Sequence, residues 1–304
     1  MRTRFSEALV SQGHAVENEP RSSVRWVFGE HDAMVLISGQ SSLGTVYDLV
    51  AATFGFLVFR RVVFYIHNAS WKRLRRIPFP GVFKNWGRVR VLVLRPAIAG
   101  SFAQAGIKAV VLNNSIDREL EACGLSHISE PRKRLLWMGR PDAAKGFPKA
   151  LEAFGILRGG DPEWVFDVYG QSADVAPAPR IDGVVFHGFV SGKQKELALQ
   201  GGGIFILPSQ YKNETQPLSI IEALAFGIPI LASDVGGIPE MIEGDGWSAG
   251  HVIHSGAPID YANAAIEVVG RYRKYSEAAR KVYLESYGTK VFEESVRDLA
   301  LDLV

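Results

Sequence analysis

Apolar positions along the chain gather into short continuous runs, and longer helix-forming stretches lie between them. The runs are Ala33–Ile37, Val62–Ile66, Val89–Leu94, Lys108–Leu112, Leu135–Met138, Trp164–Tyr169, Val184–Phe186, Ile204–Leu207 and Ile230–Ala232. Their length and branched, apolar content predict buried strands. Val24–Phe28 alternates apolar with polar, the pattern of a half-buried strand. Helices are predicted over Phe5–Gln12, Leu43–Phe59, Ala99–Ala105, Pro148–Leu157, Leu218–Phe226, Pro258–Arg273, Ser276–Tyr287 and Thr289–Leu303. Strand and helix alternate with short connections, which predicts an α/β fold of parallel sheets covered on both faces. Trp71–Trp86, Glu130–Arg134 and Glu243–Gly250 carry the polar, proline or glycine content of connecting segments. At 304 residues the chain suits about two domains.

The densest signal is the stretch from Pro208 to Ile242. The Ile204–Leu207 strand stops at Pro208, and a polar loop runs to Gln216. Pro217 then stands where a helix accepts proline, in its first turn, and Gly227 is the expected stop. Pro239 opens another helix after the Gly236–Gly237 turn. Two carboxylates belong to this stretch. Glu214 lies just past a strand's carboxyl end, and Glu222 near the start of the helix that follows. In open parallel sheets ligands bind outside the carboxyl ends of the strands. A carboxylate that accepts two vicinal hydroxyls suits a sugar. The residues alone equally allow an ordinary loop acid at 214 and a solvated helix face at 222.

A second constellation follows Leu135–Met138. The segment Gly139-Arg140-Pro141-Asp142-Ala143-Ala144-Lys145-Gly146 leads into the helix from Pro148. Gly139 allows a sharp turn, Arg140 offers a fork matched to phosphate oxygens, and Lys145 adds a point charge. The helix N-terminus adds backbone donors and a positive dipole end. Two fixed cations oppose the charge of a diphosphate. The spacing is not that of a Walker loop, and a solvated basic turn is the other reading.

These motifs resemble the retaining glycosyltransferases of family 4, glycosyl transferases group 1. The resemblance is carried by Glu214-x7-Glu222, Pro217-Leu218-Ser219-Ile220-Ile221, Gly227-Ile228-Pro229 and Gly236-Gly237-Ile238-Pro239-Glu240, with Gly-Arg-x4-Lys-Gly from Gly139 to Gly146 upstream. It implies the GT-B fold, two Rossmann-like domains facing a cleft. Expected boundaries are 1–128 for an acceptor-side domain, 129–286 for a nucleotide-sugar donor domain, and 287–304 for a terminal helix crossing back to the first. The resemblance implies that Glu214 contacts the donor sugar and Glu222 the nucleotide ribose. Arg140 and Lys145 would hold the diphosphate, with Gly139, Gln216, Pro217 and Leu218 as the donor loop. Gly170, Gly188 and Phe189 would line the base pocket. His67 resembles the family's first-domain histidine near the reaction centre.

Fainter likenesses extend to Gln12-Gly13-His14-Ala15-Val16 and to Asn114-Ser115-Ile116-Asp117. The family begins with a strand and a glycine-rich loop ahead of the first of these, so the expectation is either a start that lies upstream or an N-terminal domain that is shortened and has lost part of its acceptor-side cleft. The implied reaction moves a hexose from a nucleotide-diphosphate sugar, with no metal and no other cofactor. A non-catalytic nucleotide-sugar-binding subunit is the alternative.

Charge changes the picture for the first half. Leu49–Ile116 has no Asp or Glu but eleven Lys and Arg, leaving 23 basic against 32 acidic residues elsewhere. Residues 60–90 suit an anionic membrane surface, with Trp71, Phe79, Phe83 and Trp86 among the basic side chains. That would fit a lipid-linked acceptor or a polysaccharide precursor; a glycan or small-molecule acceptor fits a cleft made basic to attract the donor. Nothing resembles a recognition helix or an RNA-binding aromatic motif, so no nucleic-acid partner is expected. The longest apolar run, Leu49–Phe59, is eleven residues, short of the roughly 20 a membrane span needs. The start has no continuous apolar signal region. Cys123 is the single cysteine, so no disulfide framework is possible. A cytoplasmic protein is expected, peripheral on the inner face of the plasma membrane if the basic half meets lipid.

Overall fold

A computed structural model describes residues 7, 9–11, 33–37, 61–66, 89–104, 108–126, 130–170 and 180–303. His67, the strand expected at 24–28, the helix at 43–59 and the loop at 71–86 lie outside the described residues, as does most of the basic stretch 60–90. The chain divides into two compact units, 1–114 with 290–304, and 115–289. The division falls after Asn114, ahead of the boundary expected at 128, because the helix Arg118–Ser126 packs on helices of the second unit.

In the first unit four parallel strands lie in sequence order: β1 (Ala33–Ile37), β2 (Arg61–Ile66), β3 (Val89–Val93) and β4 (Ala109–Val111). Helix α1 (Pro96–Gln104) connects β3 to β4 and buries Ile98 and Phe102. The last helix of the chain (Thr289–Leu303) supplies Phe292, Val296 and Leu299 to this unit's core. Their spacing of four and three puts them on one helix face. They meet Val63, Tyr65, Leu92, Leu94 and Leu112.

The second unit holds α2 (Arg118–Ser126), β5 (Arg134–Met138), α3 (Phe147–Gly160), β6 (Val165–Tyr169), β7 (Val184–Gly188), α4 (Gly192–Gln200), β8 (Ile204–Leu207), α5 (Leu218–Ala225), β9 (Ile230–Ser233) and α6 (Ile238–Ile242). A small hairpin of β10 (Glu243–Gly244) and β11 (Trp247–Ser248) stands where a loop is expected, followed by β12 (Gly250–Ile253), α7 (Pro258–Gly270) and α8 (Tyr272–Val282). A π-helical turn, Tyr283–Tyr287, leads to the final helix, α9.

Six of these strands form one parallel sheet in the order β12-β9-β8-β5-β6-β7. The central strands β5, β8 and β9 are buried along their whole length, which is why they appear in the sequence as unbroken apolar runs. The edge strand β7 alternates exposure instead.

Local chemistry sets most boundaries. Helix α5 ends in a Schellman motif: the Gly227 N–H donates to the Leu224 carbonyl at 3.0 Å and the Ile228 N–H to the Ala223 carbonyl at 3.0 Å. Gly227 takes φ +65°, which favours glycine. Pro217 precedes α5 as its extended N-cap, one place earlier than expected. Ser191 is the N-cap of α4; its side chain makes no capping bond, and its backbone carbonyl accepts the Gln194 N–H at 3.2 Å. Arg134, expected in a linker, is the buried first residue of β5. The break between α7 and α8 falls at Arg271, since Tyr272 is buried and its hydroxyl donates to the Gly203 carbonyl at 3.0 Å.

Among the described residues no helix is long and apolar enough to cross a membrane.

Candidate functional site

The sheet order of the second unit locates its crevice. From β5 the chain steps outward to β6 and β7, then returns to β8 on the other side of β5 and steps outward to β9 and β12. The strand order therefore reverses between β5 and β8. At such a switch point the loops leaving adjacent strands diverge, and ligands bind outside the carboxyl ends. Those loops are 139–146 after β5 and 208–217 after β8, the two segments that carry the sequence motifs.

The loops are fastened to each other. The Gln210 N–H donates to the Ala144 carbonyl at 2.9 Å. Gly146 has φ +81°, and a β-carbon there would lie 1.8 Å from the Pro208 carbonyl oxygen. Only glycine permits that approach. Lys145, next in the same turn, donates from Nζ to Glu214 Oε2. The Glu214 side chain is 10% exposed and that of Lys145 36%, so the carboxylate sits beneath the ammonium. Ser209 Oγ lies 3.4 Å from the same carboxylate oxygen. From the far side the Gly236–Gly237 turn supports Glu214. The Gly237 N–H donates to the Glu214 carbonyl at 2.8 Å, and a β-carbon at Gly236 would lie 1.8 Å from that oxygen.

Asp142 organises the 139–146 turn. Its Oδ1 accepts the Lys145 N–H at 2.8 Å and its Oδ2 accepts Arg140 Nε at 2.8 Å. Burial acts to raise the Asp142 pKa, but the Lys145 N–H and the Arg140 guanidinium outweigh it and hold the carboxyl below the ordinary aspartate value. The Arg140 side chain remains 84% exposed.

Glu222 stands in the second turn of α5, its side chain 13% exposed. Its Oε1 accepts Lys195 Nζ from α4 at 2.9 Å. It is therefore not a solvated face residue but half of a largely covered ion pair. Gln216 and Pro217 are buried before α5, and Leu218 is exposed at its start.

The three remaining glycines step along the carboxyl ends of β5, β6 and β7. The Gly139 N–H donates to the Tyr169 carbonyl at 2.9 Å, and the Gly170 N–H to the Gly188 carbonyl at 2.7 Å. A β-carbon on Gly170 would lie 2.5 Å from the Gly139 carbonyl oxygen. Phe189, next along, is 71% exposed.

The structure thus brings Lys145 and Glu214 together, sets Arg140 on the same turn, and holds Glu222 through a different lysine. Sequence reasoning missed Asp142, Ser209 and Lys195. Asp142 had a signal, a carboxylate three residues before the lysine whose N–H it accepts. Lys195 had none, since its partner is 27 residues away on another helix. Among the described residues no group of three or more His, Cys, Asp or Glu could hold a metal ion.

Comparison with known proteins bears on this geometry. Residues 132–271 match the family described as glycosyl transferases group 1. An uncharacterized 41.2 kDa protein in the cps region of Klebsiella pneumoniae is 23% identical over 206 residues, 66% of this chain and 54% of its own length. The amylovoran biosynthesis glycosyltransferase AmsK of Erwinia amylovora is 33% identical over 129 residues, 38% of this chain and 32% of its own. The chain therefore spans about half or less of the length of these curated relatives.

Among solved structures, Anabaena HepE in complex with UDP and glucose superposes with a TM-score of 0.63 at 17% identity, covering 89% of this chain and 78% of that one. The sucrose-phosphate synthase of Thermosynechococcus elongatus gives a TM-score of 0.64 at 16% identity, covering 90% and 74%. Residues 132–271 thus match glycosyl transferases group 1, and the chain shares the GT-B fold of these solved structures.

Proposed function

We propose that the chain acts as a retaining family 4 glycosyltransferase, moving a hexose from a nucleotide-diphosphate sugar to an acceptor. The observation that carries this reading is the Lys145–Glu214 pair at the switch point between β5 and β8. One cation and one carboxylate meet there, on loops whose backbones are locked by Gly146 and Gly236. A sugar diphosphate needs both charges: a cation for the phosphates and a carboxylate for the sugar hydroxyls.

In this reading the diphosphate is the leaving group. Charge grows on its oxygens as the glycosidic bond breaks, and fixed cations and dipoles aimed at that charge lower the barrier. Lys145 and Arg140 supply the cations, and the N-terminus of α5 supplies backbone N–H groups. Glu214 receives the sugar hydroxyls and Glu222 the ribose. The acceptor hydroxyl then attacks the oxocarbenium-like sugar from the face the diphosphate leaves and gives its proton to the departing diphosphate oxygen, so no paired acid and base of the glycosidase kind is required. His67 would act from the first domain.

For the acceptor we favour a lipid-linked glycan or polysaccharide precursor at the cytoplasmic face of the membrane. The basic composition of residues 60–90 supports this, as does the Erwinia relative's naming for amylovoran biosynthesis.

Calorimetric titration of the folded protein with UDP, GDP and ADP tests the donor site. Saturable binding of one of them, and tighter binding of its hexose conjugate, is the expected result. Binding of none of the three overturns the reading. Nucleotide binding without turnover of any lipid or glycan acceptor would instead assign the chain as a donor-binding subunit.

A further inference from the structure

Lys195 has no role in the reading above, yet its placement is unusual for a lysine. On α4 the neighbouring Lys193 and Gln194 are exposed, whereas the Lys195 side chain is 29% exposed and turned toward α5. Its ammonium lies 2.9 Å from Glu222 Oε1, and the Glu222 side chain is 13% exposed. Helix α4 begins immediately after β7 and Val190, at the edge where Gly170 and Gly188 meet. Lys195 thus links the element that follows the expected base pocket to the carboxylate expected at the ribose.

We propose that Lys195 is the positioning residue for ribose recognition. It fixes the Glu222 carboxylate in one orientation and cancels its charge, and so decides whether the site distinguishes a nucleotide that has its 2′ and 3′ hydroxyls from one that lacks them. This rests on the donor reading. Two physical requirements support it. A carboxylate that is to accept ribose hydroxyls must be held in place, because a freely rotating one loses that geometry along with rotamer entropy on binding. A nucleoside diphosphate is a polyanion, and an isolated carboxylate beside it would repel it. The ammonium at 2.9 Å makes the pair neutral as a unit. Lys195 acts through Glu222 in this account and touches no reacting atom.

The test compares ribonucleoside diphosphate with the same nucleotide lacking both hydroxyls, using whichever of UDP, GDP and ADP the wild-type protein binds. The wild type is expected to prefer the ribonucleotide by tenfold or more, and Glu222→Gln to lose that preference. Lys195→Met is expected to shrink it to threefold or less, because the ribonucleotide loses the oriented carboxylate in addition to the repulsion that both nucleotides then meet. Lys195→Arg, which keeps charge and donor, should retain it.

A folded Lys195→Met protein with full ribose preference overturns the proposal. Should Lys195→Met fail to fold, the neutral double variant Lys195→Gln with Glu222→Gln gives the answer. Its ribonucleotide affinity should equal that of Glu222→Gln alone, because a residue acting only through Glu222 adds nothing once that carboxylate is gone. A further loss of tenfold would mean Lys195 contacts the nucleotide directly and would overturn the positioning role. Binding of no nucleotide by wild type overturns the donor reading itself, whereas ribose preference lost in Glu222→Gln but kept in Lys195→Met overturns this inference alone.

Discussion

Lys145 and Glu214 are 69 residues apart in sequence, on loops from two different strands, and are joined through Nζ and Oε2. The carboxylate is nearly covered and the ammonium is the more exposed partner. A ligand arriving from solvent therefore meets the cation first. If a diphosphate takes Lys145, Glu214 loses its partner at the moment a sugar hydroxyl needs an acceptor. Under the proposed function, the ion pair would be the resting state of a site whose two charges separate onto two parts of one substrate.

Glu214→Gln should separate those parts. The amide removes the charge that competes for Lys145, so affinity for the bare nucleoside diphosphate is expected to stay the same or rise by up to threefold. The nucleotide sugar is expected to lose the increment its hexose adds, because a charge-assisted bond becomes a neutral one of about half the strength. Paired calorimetric titrations with nucleotide and nucleotide sugar would show it. A parallel loss for both ligands would sink the division of roles.

Lys145→Ala should weaken nucleotide binding about tenfold, or about 1.4 kcal/mol. Glu222→Ala is expected to cost a similar factor. The two residues are held by separate partners, Glu214 and Lys195, so their effects should add in the double variant to about a hundredfold. Unchanged affinity in a folded single variant would remove that residue from the site.

The core of the second unit was legible because β5, β8 and β9 are buried on both faces and so are apolar at every position except Arg134 and Ser233 at their ends. Glu214 and Lys145 were legible for a related reason. They follow such strands directly, where a parallel sheet exposes its crevice. What escaped was pairing between side chains on elements far apart in sequence. Nothing local marks Lys195 as the partner of Glu222, or Arg134 as a core residue rather than part of a linker. Arg134 can be buried because Asp167 and the carbonyls of Gly202 and Ala198 surround its guanidinium, contacts made only after β6 and α4 have packed.

Gly146→Ala tests whether the two loops must touch. Gly146 occupies the left-handed region at φ +81°, and the added methyl would lie 1.8 Å from the Pro208 carbonyl oxygen. The conformation alone costs a non-glycine residue about 1–3 kcal/mol, and the contact forces the loops apart besides. Urea unfolding should show a loss of at least that size. Nucleotide affinity should fall in the protein that remains folded, since Lys145 moves with the turn. Wild-type stability and affinity together would mean the turn relaxes without consequence.

Asp167 contributes a pH dependence to the stability of the second unit. Its Oδ2 accepts Arg134 Nε at 2.5 Å and its Oδ1 lies 2.5 Å from His187 Nε2, whose ring stacks on Tyr169 at 4.3 Å. Burial acts to raise the Asp167 pKa, but the His187 bond and the Arg134 charge outweigh it, so the carboxyl is held below its ordinary value. A folded-state pKa below the unfolded one contributes stability that is fully present above the unfolded value, about 3.9, and is lost as pH falls through the folded one. Asp167→Asn should therefore cost about 3 kcal/mol at neutral pH, because it leaves the Arg134 charge largely buried without its counter-ion. The gap in unfolding free energy between wild type and variant should persist down to about pH 4 and close below it. Urea melts of both proteins across that range would measure it. A gap of the same size at pH 7 and pH 2.5 would show that the amide costs stability through packing and not through the charge.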